Sequence, residues 1–154
     1  MKNRVALISL GCAKNLVDSE VMIGLLSEAG FIPVIDVKDA DIFIVNTCCF
    51  IDDAQEEAVD TILGLAELKK NNPGNRLIVT GCLAQRFPEE LLKEIPEIDG
   101  VVGTGDFQKI VKVVEDVLND RKVNLVSKEL RFIYDETYPR HISTPKYTAY
   151  IKIS

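Results

Sequence analysis

Three apolar runs, Val5 to Leu10 (VALISL), Asp41 to Asn46 (DIFIVN) and Arg76 to Thr80 (RLIVT), lie a helix's length or more apart and constrain this chain more than any other feature. A strand with one face in water alternates apolar and polar residues, whereas runs this continuously apolar belong to strands covered on both faces. The segments between them supply the covers. Asn15 to Ala29 carries apolar residues at helical spacing and stops at Gly30. A second helical segment, from about Asp53 to Lys70, is ended by Asn72-Pro73-Gly74.

Phe31 to Val37 and Gly100 to Gly103 complete five expected strands. Pro88 opens a short helix where its missing amide does no harm, and Asp106 is placed to cap a helix running to about Asn119. Strands alternating with amphipathic helices predict a doubly wound α/β fold, flavodoxin- or Rossmann-like, with a mainly parallel five-stranded sheet and helices on both faces. With 154 residues and 47% hydrophobic content, one core is expected, over residues 1–120. Residues 121–146, with a Ser143-Thr144-Pro145 turn, read as a linker. Residues 147–154 begin an alternating strand with no partner in the first unit, as if a further domain started there.

No apolar stretch approaches the roughly 20 residues of a membrane-spanning helix, and the apolar run after the basic Met1-Lys2-Asn3-Arg4 is too short for a secretion signal. A cytoplasmic location without membrane attachment is expected, and there four cysteines point to metal binding or catalysis rather than to disulfides. A net charge of −6 repels a phosphate backbone, so no direct nucleic-acid contact is expected; it favours a basic protein partner.

Three of the cysteines share one structural address. Cys12 follows the first strand, Cys48 the third and Cys82 the fourth. In the common strand order 2-1-3-4-5 these strands are neighbours, and sites in such sheets form beyond the carboxyl ends. At about 4.8 Å between strands, three thiols there gather within roughly 10 Å. Thiolates are soft ligands for iron-sulfur clusters or zinc, and a four-iron cluster held by three cysteines keeps one iron open. Each cysteine alone also reads as a small buried hydrophobe. Two further readings stand beside the cluster: a zinc-stabilised interaction domain using the cysteines with His141, and a flavodoxin-like small-molecule binder with incidental cysteines.

Cys49 adjoins Cys48 and points the other way on an extended segment, so it reads as packing. Gly103-Thr104-Gly105-Asp106 lacks a full dinucleotide fingerprint and reads as a helix-capping loop. Asn15, Asp18, Ser19 and Glu20 read as capping and dipole-complementing residues in the first turn of the first helix, and Glu67 to Lys70 as a solvated helix end.

The segments Ser9-Leu10-Gly11-Cys12-Ala13-Lys14-Asn15-Leu16-Val17-Asp18-Ser19-Glu20, Val45-Asn46-Thr47-Cys48 and Thr80-Gly81-Cys82-Leu83-Ala84-Gln85-Arg86 resemble the N-terminal domain of the radical S-adenosylmethionine methylthiotransferase family. The likeness runs from about Val5 to Leu118. The first motif is most similar to the branch that modifies an aspartate of a ribosomal protein; the transfer-RNA branch, the alternative, typically has Gln-Met-Asn after its first cysteine. The resemblance implies that Cys12, Cys48 and Cys82 hold a 4Fe-4S cluster whose open iron takes part in sulfur delivery. It implies a following barrel domain in cis with a second 4Fe-4S cluster and S-adenosylmethionine, so that this segment alone is inactive and none of its residues is catalytic. It also implies a methylthio group added to the β-carbon of an aspartate in a small-subunit ribosomal protein. Cys49 departs from that branch, which usually has Gly there.

Overall fold

A computed structural model describes residues 4–10, 13–47, 52–72, 74–103 and 106–126; of residues 13–16, 52–55 and 107 it describes the backbone alone. The sheet contains β1 (Arg4–Ser9), β2 (Ile32–Pro33), β3 (Ile42–Thr47), β4 (Arg76–Gly81), β5 (Gly100–Val102) and β6 (Val123–Leu125). Their order is β2-β1-β3-β4-β5-β6, and every neighbouring pair is parallel. The expected order of the first five strands and the α/β class are both observed.

The helices are α1 (Ala13–Glu28), α2 (Asp52–Asn71), α3 (Cys82–Arg86), α4 (Pro88–Glu94) and α5 (Ile110–Leu118). All six residues of β3 are buried, and alternate side chains serve opposite faces of the sheet. Phe43 and Val45 join Ala58, Ile62 and Leu65 of α2, Leu83 of α3 and Leu91 of α4 in one core cluster. Ile42 and Ile44 join Val21, Met22 and Leu26 of α1 and Ile110, Val113 and Val117 of α5 in the other. The continuous apolar run therefore reports a strand sandwiched between two helical layers. Helix α1 stops where Gly30 adopts φ 98°, letting the Phe31 amide donate back to the Leu26 carbonyl at 3.0 Å.

Four expectations need correction. The sheet has six strands rather than five: β6 pairs with β5 from Gly100 opposite Val123 to Val102 opposite Leu125, within the stretch read as the linker. Three half-exposed edge residues carry too little alternation to register as a strand. The second strand shrinks from Phe31–Val37 to Ile32–Pro33, an edge position that tolerates proline, and the chain then turns into a 3-10 segment, Val37–Asp39, capped by the Asp36 carboxylate accepting from the Lys38 amide at 2.9 Å. Asp106 leads into a 3-10 turn, Phe107–Lys109, before α5 begins. Lys69 is no solvated helix end: its ammonium lies 2.6 Å from the Asp99 carboxylate and donates to the Glu97 carbonyl at 2.8 Å, with only 16% of its side chain exposed.

The Asp99 carboxylate also accepts from the Leu77 amide at 3.0 Å, and Lys122 donates to the carbonyls of Pro96 and Ile98. These ties lock the amino edge of the sheet around β4 and β5, leaving the carboxyl edge for the site.

Candidate metal centre at the carboxyl edge of the sheet

Strands β1, β3 and β4 lie side by side with level ends: Ser9 is opposite Asn46, Asn46 opposite Thr80, and Thr47 opposite Gly81. Cys48 and Cys82 each come one residue after a strand end, and Cys12 three residues after Ser9. Cys12 and Cys48, with Cys49 and His141, lie outside the described residues. Cys82 is described as the first residue of α3, half-buried and packed against the core on the α2 side. The structure thus brings together the three points from which the cysteines depart. Among the described residues no group of three metal-ligating side chains occurs.

A buried polar network ties these departure points to one another. Asn46, Thr47 and Thr80 are each no more than 1% exposed. The Asn46 carbonyl accepts from the Leu10 amide at 2.9 Å, and the Asn46 side-chain amide donates to the Ser19 hydroxyl of α1 at 2.9 Å. The Thr47 hydroxyl donates to the Thr80 carbonyl at 2.7 Å and accepts from the Leu83 amide at 3.1 Å. Each such bond contributes about 1 kcal/mol net, and leaving one partner buried and unsatisfied costs about 1–3 kcal/mol.

Gly81 makes this close approach possible. Its φ of 95° lies in the left-handed region, and a Cβ there would stand 2.6 Å from Asn46 Oδ1, 2.7 Å from the Thr47 nitrogen and nearer still to the Thr47 carbonyl oxygen. Any other residue would push β4 away from β3 at the level where Cys48 and Cys82 depart. The ends of β1 and β4, on either side of β3, lie about 10 Å apart, and thiolates are the donors that iron-sulfur clusters take.

The capping account of the first helix does not hold for Asp18, Ser19 and Glu20. Helix α1 starts at Ala13, which puts these residues in its second turn, where they are 6%, 5% and 3% exposed. Ser19 instead serves Asn46. Beyond β5, the Asp106 amide donates to the Gly103 carbonyl at 3.1 Å, a turn, and the Gln85 side chain lies against Gly103, so α3 leans on the end of β5. Asn46, Thr47, Thr80 and Gly81 were given no role from sequence. The available signal was two polar pairs, Asn46-Thr47 and Thr80-Gly81, each closing an otherwise apolar run.

The model of uncharacterized protein family UPF0004 matches residues 4–103. The chain is 50% identical over 150 residues to ribosomal protein uS12 methylthiotransferase RimO of Clostridioides difficile (strain 630), covering 97% of this chain and 34% of that protein. It is 51% identical over 150 residues to the protein of the same name from Desulforamulus reducens, with the same coverage, and 48% identical over 154 residues to that of Geotalea uraniireducens, covering 100% of this chain and 34% of the relative. The chain spans about a third of the length of the curated relatives it matches. With the matched segment running from β1 through β5 and including all three motifs, the chain belongs to family UPF0004, that of the N-terminal domain of methylthiotransferases.

Proposed function

We propose that this chain is the cluster-bearing domain of a methylthiotransferase that adds a methylthio group to the β-carbon of an aspartate in a small-subunit ribosomal protein. Cys12, Cys48 and Cys82 hold a 4Fe-4S cluster in this reading. The observation that carries it is the level register of β1, β3 and β4, from whose carboxyl ends the three cysteines depart. The substrate in the relatives' name, ribosomal protein uS12, supports the choice of target, and the GCAKNLVDSE motif agrees with it. A bound cluster with three protein ligands supplies an iron at which an exogenous sulfur can be held.

The chain's own residues prepare that place. In this reading the three thiolates follow three separate, adjacent strands, whose register the sheet sets. Gly81 keeps a side chain out of the gap between the ends of β3 and β4. The Asn46 and Thr47 bonds keep the strand ends, the second turn of α1 and the start of α3 in one arrangement. Radical generation belongs to a following domain in cis, with its own 4Fe-4S cluster and S-adenosylmethionine, consistent with relatives about three times as long as this chain. The net charge of −6 suits a basic ribosomal protein and disfavours direct nucleic-acid contact. Among the described residues no helix is long and apolar enough to cross a membrane. A ribosomal substrate places the protein in the cytoplasm.

Mass spectrometry of both candidate substrates, the small-subunit ribosomal protein and transfer RNA, after reaction with an enzyme that contains this domain together with its radical domain, tests the proposal. A methylthio increment on the aspartate of the ribosomal protein is expected. An increment on transfer RNA alone contradicts it.

A further inference from the structure

Thr47 closes β3 and is completely buried, a position where Val would pack as Val45 does two residues earlier. Its hydroxyl, however, serves two partners: the proton goes to the Thr80 carbonyl at 2.7 Å, and the oxygen accepts from the Leu83 amide at 3.1 Å. Those two partners straddle Cys82, one two residues before it and the other one residue after it. Leu83 is the second residue of α3, so its amide has no partner within its own helix, and the neighbouring strand supplies one. Thr47 is itself joined by a peptide bond to Cys48. One hydroxyl therefore connects the backbones that carry two of the three cysteines, at the point where Gly81 brings them closest.

Resting on the three-cysteine reading above, we infer that Thr47 is a positioning residue for the cluster: its hydroxyl fixes the chain on either side of Cys82 against the end of β3, from which the chain enters Cys48. Val keeps the shape and removes the latch; Ser keeps the latch and removes a methyl group. Neither change touches a ligand.

The test uses the full 154-residue chain, reconstituted anaerobically with iron and sulfide. Iron release to a chelator and the electron paramagnetic resonance spectrum of the reduced cluster are compared among wild type, Thr47→Val and Thr47→Ser. Thr47→Val is expected to release iron about tenfold or more faster with an altered spectrum, while Thr47→Ser stays within about twofold of wild type, the size of effect usual for groups that orient metal ligands. A Thr47→Val release rate matching wild type, or a Thr47→Ser rate as fast as Val, overturns the inference.

Should Thr47→Val fail to fold, amide hydrogen exchange in the wild-type chain decides. Cluster loading is expected to slow exchange at Leu83 far more than at Leu91, whose amide donates within its own helical segment to the Phe87 carbonyl at 3.1 Å. Equal slowing at both overturns the inference. The two readings fail separately: if Cys82→Ala holds as much cluster as wild type, the ligand assignment falls; if Cys82→Ala loses it while Thr47→Val behaves as wild type, only the role of Thr47 falls.

Discussion

Gly81 and Gly64 are the same residue in opposite circumstances. At Gly81 the backbone is left-handed and a Cβ would collide with the Asn46 side chain and the Thr47 backbone, so Gly81→Ala is expected to lower unfolding stability by about 2–4 kcal/mol. At Gly64, exposed within α2, a Cβ meets nothing within 4 Å, and Gly64→Ala is expected to raise stability by about 0.5–1 kcal/mol. Urea unfolding of the two variants checks both signs, and equal effects would mean that β3 and β4 do not approach as described. Glu97 has a carboxyl group held below its ordinary value of 4.5 by its own backbone amide and, against an opposing desolvation, by Lys70, whose ammonium lies 3.4 Å away. A depressed folded-state pKa gives stability that is present above the unfolded-state value and is lost as pH falls through the folded-state value. Glu97→Gln is therefore expected to lower stability slightly at neutral pH and to flatten the acid limb of a stability-against-pH curve below about pH 4.5. A steeper acid limb in the variant would contradict the assignment.

The elements legible in sequence are those with a long apolar run or stripe. Strands β1, β3 and β4 and helices α1 and α2 announce themselves because a strand between two helical layers must be apolar at nearly every position and a covering helix must carry a stripe. The edge strands β2 and β6 are less legible for the converse reason: Ile32–Pro33 and Val123–Leu125 are short and partly exposed, so neither length nor pattern marks them. Helix α3, five residues long, is too brief for any periodicity, and its position depends on the Thr47 hydroxyl from another strand. The amino-edge lock belongs to the same class, since Lys69 and Asp99 are thirty residues apart. Asp99→Ala leaves the Lys69 ammonium and the Leu77 amide without their shared acceptor, and a loss of about 1–3 kcal/mol in urea unfolding is expected. No loss would show that Lys69 is satisfied by the Glu97 carbonyl alone.

At the scale of the molecule, the strand order from which the convergence of the cysteines is argued was legible, because buried parallel strands mark themselves, and it sets the ends of β1, β3 and β4 side by side. The network beneath them was not legible: Asn46, Thr47 and Ser19 look like ordinary polar residues until distant strands and helices bring their partners. The amino edge is tied by the Lys69–Asp99 ion pair, and the ends of β3 and β4 by the Asn46 and Thr47 hydrogen bonds. The central claim is that Cys12, Cys48 and Cys82 together hold one cluster. It is tested most directly by iron and sulfide content after anaerobic reconstitution of the 154-residue chain and its four single Cys-to-Ala variants. The account predicts roughly four irons per wild-type chain, loss of the intact cluster in Cys12→Ala, Cys48→Ala and Cys82→Ala, and retention in Cys49→Ala. Full retention in the first three variants, or colourless protein carrying stoichiometric zinc in place of iron, would contradict it.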